Sequence, residues 1–191
     1  MTLTPQQAIL VPQISSVPGH EAKARLMLRW LVQRNIVEAQ ASTCGRGGNR
    51  MGYALAAGAR AVMTEPADGD WTGVLPFGRA CNGLEIVTRR CIFTPDRGFL
   101  EEAGCPGCRR EIGKALFDSL EEWTPKLTDN FACPRCGYED DINGFLFLQP
   151  CGFSNLGFIF NDWDASHFSA DFLAEFAERL GHPVRLVQVL L

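Results

Sequence analysis

The sequence predicts an α+β fold in which a β-α-β unit lies at each end of the chain and an insertion lies between the two units. The first forty residues and the last forty each contain a short apolar run, an amphipathic helix and a second apolar run. Of the eight cysteines, four form two close pairs in the acidic stretch between these ends. The length of 191 residues corresponds to one domain with a sizeable insertion, at the usual ~150 residues per domain.

The first β-α-β unit begins with the apolar run at residues 8–11, which Pro12 ends. Apolar side chains then recur at helical spacing over residues 21–34, and Asn35 is a suitable C-terminal stop. A second strand is expected at residues 36–39. Such a unit forms a right-handed crossover when its two strands are parallel in one sheet.

The last β-α-β unit has clear end signals. A strand at residues 157–160 leads to Ser169, a good N-cap for a helix over residues 170–180, which Gly181 ends. The closing strand, at residues 184–190, begins with alternating apolar and polar residues. The two units together predict one sheet with helices on one face, for which a ferredoxin-like fold is a candidate form.

The segments that follow the first unit are less regular. Residues 42–70 are rich in glycine and alanine, and they predict a loop, a short helix and a strand at 61–64. A further strand is expected at residues 84–93, with Arg90 facing solvent.

The domain organisation follows from these elements. We expect a single α+β domain over residues 1–191, because the two end units share one sheet. Residues 95–141 form an acidic insertion in it, and this insertion carries the close cysteine pairs. Within the insertion, apolar residues at helical spacing predict a helix over residues 109–123.

The close pairs are Cys105 with Cys108 and Cys133 with Cys136, and 24 residues separate them. In a Cys-x-x-Cys turn both sulfurs face one metal ion, and two such turns supply the four thiolates of a closed tetrahedral Zn²⁺ site. These four cysteines are therefore the candidate metal ligands. A rubredoxin-like iron site and a redox disulfide pair remain as alternative interpretations.

The second turn resembles a known family of metal sites. The run Cys-Pro-Arg-Cys-Gly-Tyr from Cys133 to Tyr138 is similar to the knuckles of zinc-ribbon and rubredoxin-like proteins, and the resemblance covers about residues 103–140. The first turn departs from the pattern, since arginines rather than glycine follow Cys108. The rest of the chain resembles uncharacterised bacterial proteins with a Phe-x-Phe-Asn-x-Trp strand end near Trp163, which implies no function.

The other cysteines are spaced irregularly. Cys44 lies in a glycine-rich loop after a predicted strand, where a nucleophile would be placed, and His20 is its candidate partner in a catalytic dyad. Tight-turn glycines are the simpler interpretation of this loop, so Cys44 is a weak catalytic candidate. Cys81, Cys91 and Cys151 lie in or beside apolar stretches and are expected to be small buried side chains.

Charge and hydropathy exclude several classes of protein. The net charge is −4; residues 1–90 carry ten Lys and Arg against six Asp and Glu, whereas residues 91–191 carry eight against sixteen. This acidic balance disfavours a nucleic-acid partner, because phosphate contacts need a basic face. No stretch approaches the ~20 apolar residues of a membrane span, and the first residues lack the basic region of a secretory signal. We therefore expect a cytoplasmic protein with no membrane contact.

The expected function is that of a non-enzymatic, zinc-binding protein-interaction module whose partner is another protein. A nucleic-acid-associated zinc-ribbon protein is the first alternative, favoured by the paired turns and opposed by the charge. A Cys44-dependent enzyme is the second alternative.

Overall fold

The computed structural model describes residues 4–46 and 50–191, and its mixed α+β architecture confirms the predicted class at that level. The strands in these ranges are β1 Gln6–Pro12, β2 Val37–Ser42, β3 Gly52–Leu55, β4 Leu84–Val87, β5 Cys91–Phe93, β6 Ala103–Gly104, β7 Asn130–Ala132, β8 Glu139–Asp141, β9 Leu146–Phe147, β10 Gly152–Ser154, β11 Gly157–Asn161 and β12 Val184–Leu190. The α-helices in the same ranges are α1 His20–Gln33, α2 Gly113–Asp118, α3 Leu120–Trp123 and α4 Ala170–Leu180. No helix in the described part of the chain combines the length and the apolar character needed to cross a membrane.

Six of the strands form one sheet in the order β12-β1-β11-β4-β3-β2, and every neighbouring pair in it is antiparallel. The strands of each predicted β-α-β unit lie in this sheet, and β1 separates β11 from β12. The ferredoxin-like form is not confirmed, because β3 and β4 widen the sheet between β11 and β2. Three further sheets have two strands each, and they pair β10 with β5, β6 with β9 and β7 with β8.

Helices α1 and α4 cover one face of the six-stranded sheet. Trp30 on α1 stacks on Phe172 of α4 with ring centroids 5.8 Å apart, and it meets Phe176 edge-on at 6.0 Å. The alternation of the strands places every second side chain on this face. We call the resulting cluster the helix-covered core; its central members are Ala8, Leu10, Met27, Trp30, Leu31, Leu84, Phe158, Phe160, Phe172 and Phe176.

The opposite face of the sheet packs against the two-stranded sheet of β5 and β10. Ile9, Val187 and Val189 are buried there together with Phe93 of β5. The backbone of β10 approaches this face closely, since a Cβ atom added to Gly152 would lie 2.7 Å from Cγ1 of Val11. Glycine at this position therefore lets β10 lie directly on the six-stranded sheet.

A separate cluster surrounds the paired cysteines. It is built from short elements between β5 and β11 and is packed with aromatic rings, such as Phe117 with Phe153 at 6.1 Å. We call it the cysteine core; its members are Ala103, Cys105, Ile112, Leu116, Phe117, Trp123, Phe131, Cys133, Ile142, Phe145, Cys151 and Phe153.

The helix predicted over residues 109–123 is wrong at its N-terminal end and is not continuous. The structure begins α2 only at Gly113, because residues 105–110 form a tight turn in which Arg109 has φ 61°. Ser119 then separates α2 from α3. The apolar stripe continues across this break, which explains why the sequence pattern predicts one continuous helix.

Two other local predictions are also wrong. The strand predicted at residues 61–64 is the end of a 3₁₀ segment, Ala57–Val62, followed by a single bridge from Met63 to Phe168. The strand predicted at residues 84–93 is divided between β4 and β5, which lie in different sheets. Alternation of apolar residues cannot show that a strand changes sheet partway along its length.

Candidate metal centre

The structure brings the four paired cysteines into one cluster. The Sγ atoms of Cys105 and Cys136 are 3.7 Å apart, and those of Cys108 and Cys133 are 3.9 Å apart. All four sulfurs lie within 4.8 Å of one another. Each close contact joins one turn to the other, so the cluster forms only when both turns are in place.

The first turn has the hydrogen-bond pattern of a metal knuckle. The amide of Arg109 donates to the carbonyl of Cys105 at 2.9 Å, and the amide of Cys105 donates to the carbonyl of Arg110 at 3.0 Å. The amide of Gly107 points at Sγ of Cys105 at 3.3 Å. Backbone N–H groups directed at sulfur favour its thiolate form.

The second turn repeats this pattern residue for residue. The amide of Gly137 donates to the carbonyl of Cys133 at 2.9 Å, and that of Cys133 donates to the carbonyl of Tyr138 at 2.7 Å. The amide of Arg135 points at Sγ of Cys133 at 3.4 Å. Gly137 has φ 78°, and the matching residue of the first turn, Arg109, adopts a similar positive angle without being glycine. The arginine therefore changes the sequence pattern but not the geometry of the turn.

Short strands and aromatic packing position the two turns. The first turn follows β6, which pairs with β9. The second turn connects β7 to β8, and Phe131 of β7 meets Phe145 edge-on at 5.1 Å. Cys105 and Cys133 are buried, Cys108 is half-buried and Cys136 is exposed, so the cluster lies at the surface of the cysteine core.

The thiols of Cys133 and Cys136 have shifted pKa values. Burial disfavours the thiolate of Cys133, but hydrogen bonds from the amides of Arg135 and Cys136 outweigh it and lower its pKa to about 7. The amide of Tyr138 favours the thiolate of Cys136, but burial and the three neighbouring thiols outweigh it and raise its pKa to about 11. The sulfurs therefore resist ionising together, and a bound cation removes this resistance.

The donor set fits a tetrahedral metal ion. A Zn–S distance of about 2.3 Å gives a regular tetrahedron an S–S edge of about 3.8 Å. The distances of 3.7 Å between Cys105 and Cys136 and 3.9 Å between Cys108 and Cys133 bracket this value. This is the one group of three or more potential metal ligands found among residues 4–46 and 50–191. Four thiolates leave no open position for water or substrate, so a metal ion bound here supplies a cross-link rather than a reaction centre.

A buried arginine anchors the cysteine core to the rest of the chain. Arg90 was expected to face solvent, but its side chain is only 9% exposed and forms an ion pair with Asp129. Its guanidinium donates to the carbonyls of Trp123 and Thr128 at 2.7 and 3.3 Å and lies over the Trp123 ring at 4.5 Å. The indole N–H of Trp123 in turn donates to Ser15 Oγ at 2.8 Å. Sequence patterns gave no signal for this contact, since its members are up to 108 residues apart.

A second polar contact lies deeper in the cysteine core. The amide group of Asn143 donates to Asp141 Oδ1 and to the carbonyl of Phe153, and it accepts the amide N–H of Phe153 at 3.0 Å. Arg185 of β12 donates to the carbonyls of Cys151 and Asn143 at 2.8 and 3.4 Å. A buried asparagine with all its groups bonded fixes one arrangement of the chain.

The remaining candidate residues do not join the cluster. Cys44 is buried, close to Gly83, and its carbonyl accepts the amide of that residue at 3.1 Å. The ring of His20 is instead hydrogen-bonded to the carbonyl of Thr88 at 3.0 Å, and no bond to Cys44 is found among the described residues. Cys151 is buried as expected, and burial raises its pKa to about 12.

Two further cysteines are less buried than the sequence suggested. Cys81 and Cys91 are both half-buried. Burial nevertheless raises the pKa of the Cys91 thiol, which makes it a weak nucleophile at neutral pH.

Comparison with known proteins gives no family for this chain. Models of protein families, curated protein sequences and solved structures all fail to match it. The assignment of a role to the cysteine cluster therefore depends on its geometry and chemistry alone.

Proposed function

We propose that the protein is a cytoplasmic protein-interaction module in which Cys105, Cys108, Cys133 and Cys136 hold a structural Zn²⁺ ion, and that it is not an enzyme. The observation that carries this proposal is the cluster of four sulfurs within 4.8 Å of one another, with no His, Asp or Glu grouped with it in the described residues. Zinc is the metal that such a thiolate set most commonly holds as a structural ion. Reduced cysteines of this kind are typical of the cytoplasm.

The zinc-ribbon character is supported by the two matching turns. Both use the same backbone hydrogen bonds and the same positive φ angle at the fourth residue after the first cysteine. The surrounding segment, which we assign to an insertion over about residues 95–141, differs from an all-β ribbon because α2 and α3 lie between the turns.

Metal analysis of the purified protein tests the proposal. We expect one zinc ion per chain after expression in medium containing both zinc and iron, and no visible charge-transfer absorption. Changing Cys133→Ser together with Cys136→Ser should remove the metal, whereas the matched control Cys91→Ser should retain it. A red protein with bound iron, or zinc retained by the double variant, would overturn the proposal.

An interaction role is supported by apolar side chains that the cysteine-rich region exposes. Leu127 is 75% exposed, Leu148 is 61% exposed and Leu146 is 48% exposed. Leu146 and Leu148 line the same cavity, and adjacent exposed apolar side chains are typical of surfaces that contact another protein. The zinc ion would then hold this surface in shape, because it cross-links the turns from which the segment is built.

A nucleic-acid partner is the second candidate, and one observation favours it. Arg109, Arg110 and Arg135 flank the cysteine turns, and each is exposed without an ion pair among the described residues. Fluorescence polarisation with labelled single-stranded and double-stranded DNA and RNA tests it at 50 mM salt. Binding that weakens steeply with salt and is lost in an Arg109→Gln, Arg110→Gln, Arg135→Gln variant would favour nucleic acid over protein.

A further inference from the structure

The outer edge of the six-stranded sheet is an open strand. The amide of Gln13 donates to the carbonyl of Pro183, and the amide of Leu191 donates to that of Pro5, which fixes the hydrogen-bonding register of β1 with β12. Antiparallel pairs alternate, so the amides and carbonyls of Leu186, Gln188 and Leu190 point away from β1. No hydrogen bond joins these backbone groups to another described residue.

This edge lacks the features that protect most edge strands from pairing. Its seven residues contain no proline, and their pairing with β1 is continuous over the whole strand. The side chains of Leu186, Gln188 and Leu190 carry no charge. The other edge strand, β2, has Glu38 and an irregular register between Val37 and Ala41. Edges are normally blunted in the way that β2 is, so β12 is the edge that remains open to another strand.

A continuous groove runs along this open edge. A cavity of about 380 Å³ is lined by Leu186, Gln188 and Leu190, and also by Pro150 and other residues outside β12. It shares Leu186 and Pro150 with a second cavity of about 420 Å³, which extends to Leu148. Because segments outside the sheet also line these cavities, the edge lies within a groove. A groove of this kind receives a single strand more readily than the edge of a second sheet.

The charges along the groove select the sequence of that strand. Arg97 and Arg185 are the charged residues that line the two cavities, and neither cavity has an acidic lining residue. Arg185 is engaged with the carbonyls of Cys151 and Asn143, whereas Arg97 is exposed with no ion pair among the described residues. Arg97 lines the cavity of Gln188 and Leu190 but not the one that reaches Val184, so an acidic group is favoured toward the Leu190 end of the groove.

We infer that β12 binds an extended peptide by strand addition, antiparallel to β12, with an acidic residue near the N-terminus of the peptide and apolar residues at alternate positions. The antiparallel direction follows the rest of the sheet and brings the peptide's N-terminus to the Leu190 end, beside Arg97. Main-chain hydrogen bonds to Leu186 and Gln188 supply affinity, and apolar side chains contact Leu148 and Pro150. This inference rests on the proposed interaction role and names the partner's chemistry.

Capped seven-residue peptides, with Val, Leu or Phe alternating with Thr, are the probe. Each is made with Glu at its N-terminal or its C-terminal end and titrated into zinc-loaded full-length protein. We expect the N-terminal Glu peptides to bind with Kd below 1 mM and at least 5-fold more tightly than their C-terminal counterparts. Arg97→Gln should remove that preference, and methylation of alternate peptide amides should abolish binding. A series in which no peptide binds would overturn the inference.

A matched pair of variants tests the role of the edge itself. Gln188→Pro removes one outward N–H without touching the backbone bonds to β1, and it should weaken peptide binding at least 10-fold. Like its control Gln188→Thr, it loses the side-chain bond from Gln188 Nε2 to Gln6 Oε1 of β1. Gln188→Thr keeps the N–H and should bind as the wild type does. Equal binding by both variants would overturn strand addition. Concentration-dependent dimerisation that Gln188→Pro abolishes would also overturn it, because a second copy would then occupy the edge.

The metal content separates the two proposals. Protein that holds one zinc ion but binds no peptide contradicts strand addition and leaves the structural zinc site intact. Protein that binds the peptide but holds no zinc contradicts the zinc site and leaves strand addition intact.

Discussion

Long helices and strands enclose the helix-covered core, whereas short ones enclose the cysteine core. The first is enclosed by α1, α4 and strands of up to seven residues, and rings such as Trp30 and Phe172 stack between them. The second is enclosed by strands of two or three residues and by helices of six and four. Both are rich in buried aromatic side chains, but only the first has extended backbone pairing.

This difference shows where the proposed zinc ion would contribute most to stability. Ordering a strand costs conformational entropy. Strands of two or three residues offset little of that cost, because they form few hydrogen bonds and bury little apolar surface. In the cysteine core, a metal ion held by the four sulfurs would offset that deficit, together with the contacts of Arg90 and Asn143. Among the described residues the helix-covered core contains no such cluster, and burial together with extended strand pairing holds it.

The two cores should differ most in their response to removal of the metal. A structural zinc ion contributes ~10–16 kcal/mol of apparent binding free energy in small modules. We expect chelation to melt residues 104–138 while β1, β11 and β12 keep their protection from hydrogen exchange. Proteolysis should then cut first within the melted segment, and added zinc should restore it. Cooperative unfolding of the whole chain would show that the cysteine core is part of the main core.

Two phenylalanines, one in each core, give a matched comparison. Phe153 and Phe176 are both fully buried, and replacing either by alanine should cost about 3–5 kcal/mol of local stability. We expect Phe153→Ala to weaken zinc binding, measured by competition with a chromophoric chelator. Phe176→Ala should lower the denaturation midpoint without changing the zinc affinity. Equal effects on zinc affinity would mean that the two cores are coupled.

The contact of Arg90 with the cysteine core should give a smaller effect. Arg90→Met keeps the length of the side chain but removes its bonds to Trp123, Thr128 and Asp129. We expect a loss of about 1–3 kcal/mol, because buried carbonyls lose their donors. Hydrogen exchange should rise first around residues 123–129. The exposed Arg110→Met is the control, with an expected change within about 0.5 kcal/mol.

The pKa of Cys133 predicts how zinc binding depends on pH. Below about pH 7 this thiol is protonated in the metal-free protein, and zinc must displace that proton. The Cys136 thiol, with a pKa of about 11, releases a proton throughout the neutral range. Lowering the pH from 8 to 6 should therefore raise the number of protons released per zinc ion by about one. Each released proton weakens zinc binding by ~1.4 kcal/mol for every unit by which the pH falls. Calorimetry in buffers of different ionisation enthalpy measures this number, and a constant value would contradict the prediction.

The difference between the two turns should give the smallest effect. Arg109 and Gly137 have positive φ angles at matching positions, but only glycine adopts such angles without a steric cost. Arg109→Gly should raise the stability of the zinc-bound protein by about 0.5–1 kcal/mol. Gly137→Ala should lower it by about 1 kcal/mol, since a Cβ there meets no other atom within 4 Å and the cost is conformational. Thermal denaturation measures both, and a loss on Arg109→Gly would show that the arginine side chain has a role of its own.

Much of the helix-covered core could be predicted from the sequence. The bounds of α4 and β12 agree with the prediction, Ser169 caps α4 by accepting the amide of Phe172, and Gly181 ends it with φ 81°. These features depend on side chains a few residues apart, so their signals are local. The two Cys-x-x-Cys turns could be predicted for the same reason, since each turn is complete within six residues. Their association was predicted from the four thiolates that a structural zinc ion requires.

The tertiary structure alone decided the order of the strands, the division of residues 84–93 between two sheets and the burial of Arg90. The partners of Arg90 and Ser15 lie tens of residues away along the chain, and no local spacing encodes which distant group completes a buried polar contact. Apolar periodicity specifies that a segment is a strand and which face it buries, but not its neighbours in a sheet. Those neighbours are selected by the packing of the whole chain, and so is the strand edge that the sheet leaves open.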